Sequence, residues 1–144
     1  DKRLGELKKL VDIVNSGKFV VAPPLPLKLA VQPHMPQRYY AVASGYETEK
    51  EGGARCVRCF TMRLTDARDY AESNGFDYFG TTLSVSPYKN SRMLNKIGLS
   101  LQTDETLWLP SDFKKHNGYD QSIALSEKYQ LYRQHYCGCD FSKI

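Results

Sequence analysis

Phe76-Asp77-Tyr78-Phe79-Gly80-Thr81-Thr82-Leu83-Ser84-Val85-Ser86-Pro87-Tyr88-Lys89-Asn90 is the stretch whose reading decides the fold. Its aromatic opening predicts a strand that starts at Phe76 and runs towards Leu83 and Val85. Pro87 ends it, because proline has no N–H to give a ladder. Beyond it, residues 90 to 101 read as a helix, with Met93, Leu94, Ile97 and Leu101 turned inward. Upstream, residues 60 to 74 carry the clearest helical pattern. Phe60, Leu64, Ala67 and Ala71 form one apolar stripe, and Gly75 is a natural stop. Downstream, Thr106-Leu107-Trp108-Leu109 reads as a short strand stopped by Pro110. Strands alternating with helices predict an α/β fold, a parallel sheet with flanking helices. Such sheets place their sites at the C-terminal ends of the strands. The polar run from Thr81 to Asn90 falls there.

The remainder reads as a frame for this unit. Residues 1 to 14 are helical by the spacing of Leu4, Leu7, Val11 and Val14, and Asn15-Ser16-Gly17 is a stop signal. Phe19-Val20-Val21 is a candidate short strand. Five of the seven prolines, Pro23, Pro24, Pro26, Pro33 and Pro36, lie in residues 23 to 36. They exclude a regular helix or central strand there, so the segment reads as an extended loop. A proline-rich partner motif is the sharper alternative, and His34 reads as incidental. Pro36 suits the first turn of a helix that ends near Gly45. Residues 47 to 55 form a charged, glycine-containing loop. Residues 112 to 118 form a polar one, after which Asp120 can cap a helix running to about Lys128. We read residues 1 to 144 as one partial α/β domain with a proline-rich loop at 23 to 36.

The chain has 144 residues, 41% hydrophobic and 25% charged, enough to build a core and too apolar for wholesale disorder. Its formal charge of +4 permits a phosphate-rich partner without demanding one. No apolar run is long enough to span a bilayer, and no signal-peptide pattern opens the sequence. The expected setting is the reducing cytoplasm, with no membrane partner. The chain begins at Asp1 in what already reads as mid-helix, so its natural start is expected to lie further upstream.

Four cysteines carry the chemistry. Cys56 and Cys59 stand at C-x-x-C spacing at or just before a helix N-terminus, where exposed N–H groups favour thiolate. That suits a metal ligand, a cluster ligand or a nucleophile. Two structural cysteines are the plain alternative. Cys137-Gly138-Cys139 can close a strained, easily reduced disulfide or add two ligands to one metal, and spacing does not choose between these. Asp112, next to Lys114 and Lys115, is either part of a solvated loop or a site acid or ligand beside phosphate contacts. Lys89 and Arg133 are further candidates for contact with an RNA backbone. Tyr88, Tyr119, Tyr132 and Tyr136 can stack on bases or serve the core. Ser84 and Ser86 have no evident base, which argues against a serine hydrolase.

Four strings in this order carry a resemblance: Gly-Ala-Arg-Cys-Val-Arg-Cys-Phe-Thr-Met-Arg-Leu (53 to 64), the stretch quoted first (76 to 90), Ser-Asp-Phe-Lys-Lys (111 to 115) and Leu-Tyr-Arg-Gln-His-Tyr-Cys-Gly-Cys (131 to 139). Together they resemble the QueH family of epoxyqueuosine reductases, over residues 36 to 142 or so. The resemblance implies an oxidoreductase of tRNA modification, with a fold similar to the adenine-nucleotide α-hydrolase-like (HUP-like) group. The implied reaction removes the epoxide oxygen of epoxyqueuosine in tRNA to give queuosine. It implies a [4Fe–4S] cluster, with an additional iron ion as a further candidate. By motif match Cys56 and Cys59 fall on cluster-binding positions, and Cys137 and Cys139 on a C-terminal pair assigned a redox-active disulfide, with metal contact as its alternative. Asp112 becomes a candidate proton donor or iron ligand. Lys89, Lys114, Lys115 and Arg133 become candidate tRNA contacts. An electron donor is also implied, and the sequence does not identify it.

The sequence departs from the family pattern in three places. The family's adjacent cysteines on a first strand have no counterpart, so truncation at the N-terminus is expected. The proline-rich stretch is unlike the family. Gly80 and Gln130 stand where a hydroxyl residue and a glycine are expected. Two other readings make different demands. A non-catalytic binding domain with a structural zinc held by all four cysteines needs the two pairs to converge on one ion. A thiol oxidoreductase working through Cys56 and Cys59 needs only the first pair.

Overall fold

The structure, a computed structural model, describes residues 2–142. Among the described residues five α-helices and two short strands follow in the order α1 (Lys2–Asn15), α2 (Pro36–Ala43), α3 (Ala54–Ser73), β1 (Tyr78–Phe79), α4 (Ser91–Leu101), β2 (Leu107–Trp108) and α5 (Gly118–Lys128). Three 3-10 turns lie at Leu83–Val85, Lys115–Asn117 and Asp140–Ser142. The chain divides into two compact units. One comprises Asp1–His34 and Ala124–His135, the other Met35–Ile123 and Tyr136–Ile144.

The larger unit holds the α/β core. β1 and β2 pair in parallel, with Tyr78 beside Leu107 and Phe79 beside Trp108. Leu107 N–H donates to Asp77 O and Leu109 N–H to Phe79 O, both at 2.8 Å. Side chains alternate across the sheet as the period of two requires: Phe79 and Trp108 are buried, Tyr78 and Leu107 exposed. The two buried rings meet edge to face with centroids 5.2 Å apart. Cys56, Phe60, Leu64 and Ala71 of α3 and Leu94 and Ile97 of α4 complete the core around them. Leu94 is fully buried. The Trp108 indole lies directly on the α4 backbone, and a Cβ at Gly98 would overlap its ring. α2 is fastened to α3 by the Arg38–Asp66 pair (2.7 Å) and by Arg58 Nε donating to Val42 O (2.7 Å).

The expected α/β architecture with a small parallel sheet is present. The strand expected from Phe76 towards Val85 shortens to Tyr78–Phe79. The reason is polar. Ser84 is fully buried, its hydroxyl is 3.1 Å from Ser111 Oγ, and Phe113 N–H donates to it at 3.2 Å. A 3-10 turn delivers that side chain inward and breaks the pleat. The Thr106–Leu109 strand narrows likewise to Leu107–Trp108. α3 starts at Ala54 rather than Phe60, so both of its cysteines lie inside the helix. Asp120 sits in the first turn of α5, which begins at Gly118, instead of capping it.

The smaller unit is built on α1. Phe19-Val20-Val21 is not a strand: it bends, with Val20 and Val21 exposed. Phe19 instead stacks on Tyr129 at 5.0 Å. The proline-rich segment carries no helix or strand, bends at Pro24 and Leu25, and Pro36 opens α2. It is tied down by Asn15, whose amide donates to Leu27 O (2.9 Å) and accepts from Leu27 N–H (2.8 Å). Tyr132 N–H donates to Glu6 Oε2 at 2.9 Å, and Lys9 Nζ to Gln130 O at 2.6 Å. Among the described residues no helix is long and apolar enough to cross a membrane.

Candidate active site

The first turn of α3 is built by Gly52 and Gly53. Gly52 has φ of 89°, a left-handed conformation that favours glycine, and a Cβ on Gly53 would collide with the Glu49 carboxylate. That close approach lets Gly52 N–H donate to Cys56 Sγ at 3.2 Å. Cys56 is buried and Cys59 half-buried, three residues apart on one face of the helix. Arg63 Nε donates to Cys59 Sγ at 3.4 Å. Each sulfur thus accepts one N–H.

Arg55 lies between them and the preceding loop. It is buried, and its Nη1 donates to Tyr46 O (3.2 Å) and Glu47 O (2.7 Å). Its guanidinium stands 5.1 Å over the Phe141 ring, and its buried Nε has no hydrogen-bond partner among the described residues.

The C-terminal pair folds back onto this surface. Gly138, at φ of 94°, allows the tight Cys137-Gly138-Cys139 turn. Both thiols are free; Cys137 is exposed and Cys139 half-buried. Ser142 donates to Cys139 O through its hydroxyl (2.8 Å) and its N–H (3.1 Å), closing the last turn. Burial pushes the Cys139 thiol up, but hydrogen bonds from Ser142 and Tyr39 and the charge of Arg55 bring it below the ordinary thiol value. Tyr39 moves the opposite way. Burial, its hydrogen bond to Cys139 and the nearby sulfurs of Cys139 and Cys59 all hold its hydroxyl protonated well above the usual tyrosine range.

Cys137 meets Lys89. The Lys89 ammonium is buried, 3.2 Å from Cys137 Sγ and 2.5 Å from Glu51 Oε1, and lies 5.8 Å from the Phe60 ring centroid. Burial works against its charge, yet Glu51 and Cys137 hold the ammonium above its ordinary value. Lys114 braces the same region: its ammonium donates to Ser84 O (2.8 Å) and Lys89 O (2.9 Å) and pairs with Asp112 at 3.4 Å. Desolvation raises the Asp112 carboxyl, but Ser91 and Lys114 lower it further, so it stays ionised below the usual carboxylate range. An ionised carboxylate suits an acceptor or ligand better than a proton donor.

The candidates fall into groups. Cys137, Cys139 and Lys89 share the larger unit with Cys56 and Cys59, and Asp112 reaches them through Lys114. Lys115 is exposed in the turn before α5, and Arg133 is half-buried in the smaller unit. Tyr39, Glu51 and Arg55 escaped the sequence reading. Arg55 had a signal, being a charged residue next to Cys56 in a stretch that must pack. Tyr39 had none beyond its place in a helical pattern. Among the described residues no three or more His, Cys, Asp or Glu side chains group as a metal site. The four-cysteine zinc reading is therefore unsupported. The chemistry of two hydrogen-bonded thiols on α3 does fit half of the four-thiolate ligand set of a [4Fe–4S] cluster.

A family profile described as "Epoxyqueuosine reductase QueH" matches residues 2–144. Relatives of the same name include one from Streptococcus pyogenes serotype M1, 46% identical over 110 residues, covering 76% of this chain and 43% of the relative. One from Staphylococcus aureus (strain Mu50) is 40% identical over 121 residues, covering 82% and 50%. One from Thermotoga maritima is 34% identical over 109 residues, covering 75% and 57%. The chain spans about half the length of the curated relatives it matches. With a profile match running from α1 to the C-terminal cysteine turn, this chain belongs to the QueH family of epoxyqueuosine reductases.

Proposed function

We propose that this chain serves the reduction of epoxyqueuosine in tRNA to queuosine, in the cytoplasm, on an α/β fold of the HUP-like group. The observation that supports it is a free C-terminal dithiol engaged by two side chains of the larger unit, Tyr39 at Cys139 and Lys89 at Cys137. The reaction balances on that dithiol. Loss of the epoxide oxygen as water consumes two electrons and two protons. Oxidation of Cys137 and Cys139 to a disulfide releases two electrons and two protons.

Cys56 and Cys59 are the proposed ligands of a [4Fe–4S] cluster, and Asp112 of an additional iron ion. Bound there, these groups supply electron transfer and Lewis acidity towards the epoxide oxygen. The chain's own residues do the rest. Gly52 N–H and Arg63 Nε donate to the Cys56 and Cys59 sulfurs. Tyr39 and Ser142 hold the Cys139 sulfur, and Tyr39 keeps its proton. Lys115 and Arg133 are the proposed contacts to the tRNA backbone. Lys89 and Lys114 direct their ammonium groups to protein acceptors and so shape the site from within.

The test is anaerobic reconstitution of the full-length protein, with iron and acid-labile sulfide measured and epoxyqueuosine-containing tRNA supplied with a chemical reductant. Iron, sulfide and conversion of the nucleoside by mass spectrometry are the expected result. Zinc alone, with no conversion, removes the proposal.

A further inference from the structure

Lysine is rarely buried without a purpose for its charge. Lys89 is 6% exposed, and three partners surround its ammonium. Glu51 Oε1 accepts at 2.5 Å, Cys137 Sγ accepts at 3.2 Å, and the Phe60 ring lies at cation–π range, 5.8 Å. The backbone on which it stands is fixed as well. Lys89 N–H donates to Ser86 O (3.1 Å), Lys89 O accepts from Lys114 Nζ (2.9 Å), and the next residue, Asn90, caps α4 through Met93 N–H (3.1 Å). The ammonium is therefore presented to Cys137 from a rigid support. Its position is not that of a lysine sweeping through solvent.

We propose that Lys89 is a positioning residue for the redox pair: its buried ammonium, anchored by Glu51, stabilises reduced Cys137 over the Cys137–Cys139 disulfide and so sets how readily that disulfide is reduced. The inference rests on the reading of these cysteines as a redox pair. A positive charge against one sulfur favours the reduced pair, whose sulfur can carry thiolate charge, over the disulfide, whose sulfurs cannot. In exchange with an external dithiol, the protein S–S bond breaks and the external one forms. Two electrons pass to the Cys137 and Cys139 sulfurs, and the two thiol protons go to those sulfurs or to solvent. Lys89 accepts neither electrons nor protons in this step.

The test is a redox titration of the full-length protein against reduced and oxidised dithiothreitol, with Cys137 and Cys139 read by thiol labelling and mass spectrometry. Wild type is compared with Lys89→Met, Lys89→Gln and Lys89→Arg, each checked for folding by circular dichroism. Lys89→Met and Lys89→Gln should shift the equilibrium about tenfold towards disulfide, about 30 mV more negative. Lys89→Arg should recover most of the shift, because it restores the charge. Lys89→Gln keeps a hydrogen-bond donor without charge, so it serves where Lys89→Met does not fold. A folded neutral variant with the wild-type potential overturns the role of Lys89 while leaving the redox pair intact. A wild-type pair that never forms a reversible disulfide overturns the redox reading, and the role of Lys89 with it.

Discussion

Tyr39 on α2 is hydrogen-bonded to Cys139 in the C-terminal turn, and the two groups shift in opposite directions. The Cys139 thiol is lowered in the folded chain, so its stabilising contribution is present above the unfolded thiol value and is lost as pH falls through the folded one. Tyr39 is raised, so its contribution is complete below the ordinary tyrosine value of about 10 and is lost as pH rises beyond it. Under reducing, metal-free conditions we expect stability to rise with pH towards the thiol range and to fall above about pH 10. Urea denaturation of wild type and Tyr39→Phe across this range checks it. The stability difference between them should shrink above pH 10, and a constant difference there would count against the pairing.

Gly98 is where the core tolerates no side chain. The Trp108 indole rests on the α4 backbone, and a Cβ would overlap it. Gly98→Ala should destabilise the larger unit by at least about 1–3 kcal/mol, the usual cost of overpacking, despite alanine's better helix propensity. Gly5→Ala is the control: α1 has open space there, and the same substitution should stabilise by about 0.5–1 kcal/mol. Denaturant midpoints for the two variants should move in opposite directions.

Ser84 ties the turn after β1 to the loop after β2. Its hydroxyl is within hydrogen-bond distance of Ser111 Oγ and accepts from Phe113 N–H. Ser84→Ala leaves the part-buried Phe113 N–H without its acceptor and should cost about 1 kcal/mol. Because Asp112 sits between those two partners, hydrogen exchange should rise at Phe113 and Lys114 before it rises in α4. Unchanged protection at Phe113 would show that the hydroxyl does not hold this loop.

What the sequence made legible follows from periodicity. The Phe60, Leu64 and Ala71 stripe and the Leu94 and Ile97 pair face the core because helical spacing leaves one apolar side. The strands were overextended because Leu83 and Val85 fit a period of two, while the buried Ser84 hydroxyl between them decides for a turn. The cysteine pairs and the Asp112–Lys114 segment were visible as residue types. Their electrostatic partners were not. Lys89 reads as a candidate contact to an RNA backbone, since local sequence gives no sign of Glu51 and Cys137 closing over it. Tyr39 lies inside the helix expected from Pro36 to near Gly45, and its partner arrives from the far end of the chain.

The two cysteine pairs should separate by assay. Cys56 and Cys59 lie in the first turns of α3, one receiving Gly52 N–H and the other Arg63 Nε. Cys137 and Cys139 lie in a tight turn around Gly138, held by Lys89, Tyr39 and Ser142, and both thiols are free. In the full-length, anaerobically reconstituted protein, Cys56→Ser and Cys59→Ser should each lower bound iron and acid-labile sulfide severalfold. Cys137→Ser and Cys139→Ser should leave iron and sulfide close to wild type while turnover of epoxyqueuosine-containing tRNA falls at least about 100-fold, as expected when a group needed for the chemical step is lost. Parallel loss of iron in all four variants would mean that the C-terminal pair holds metal and that the electrons come from elsewhere.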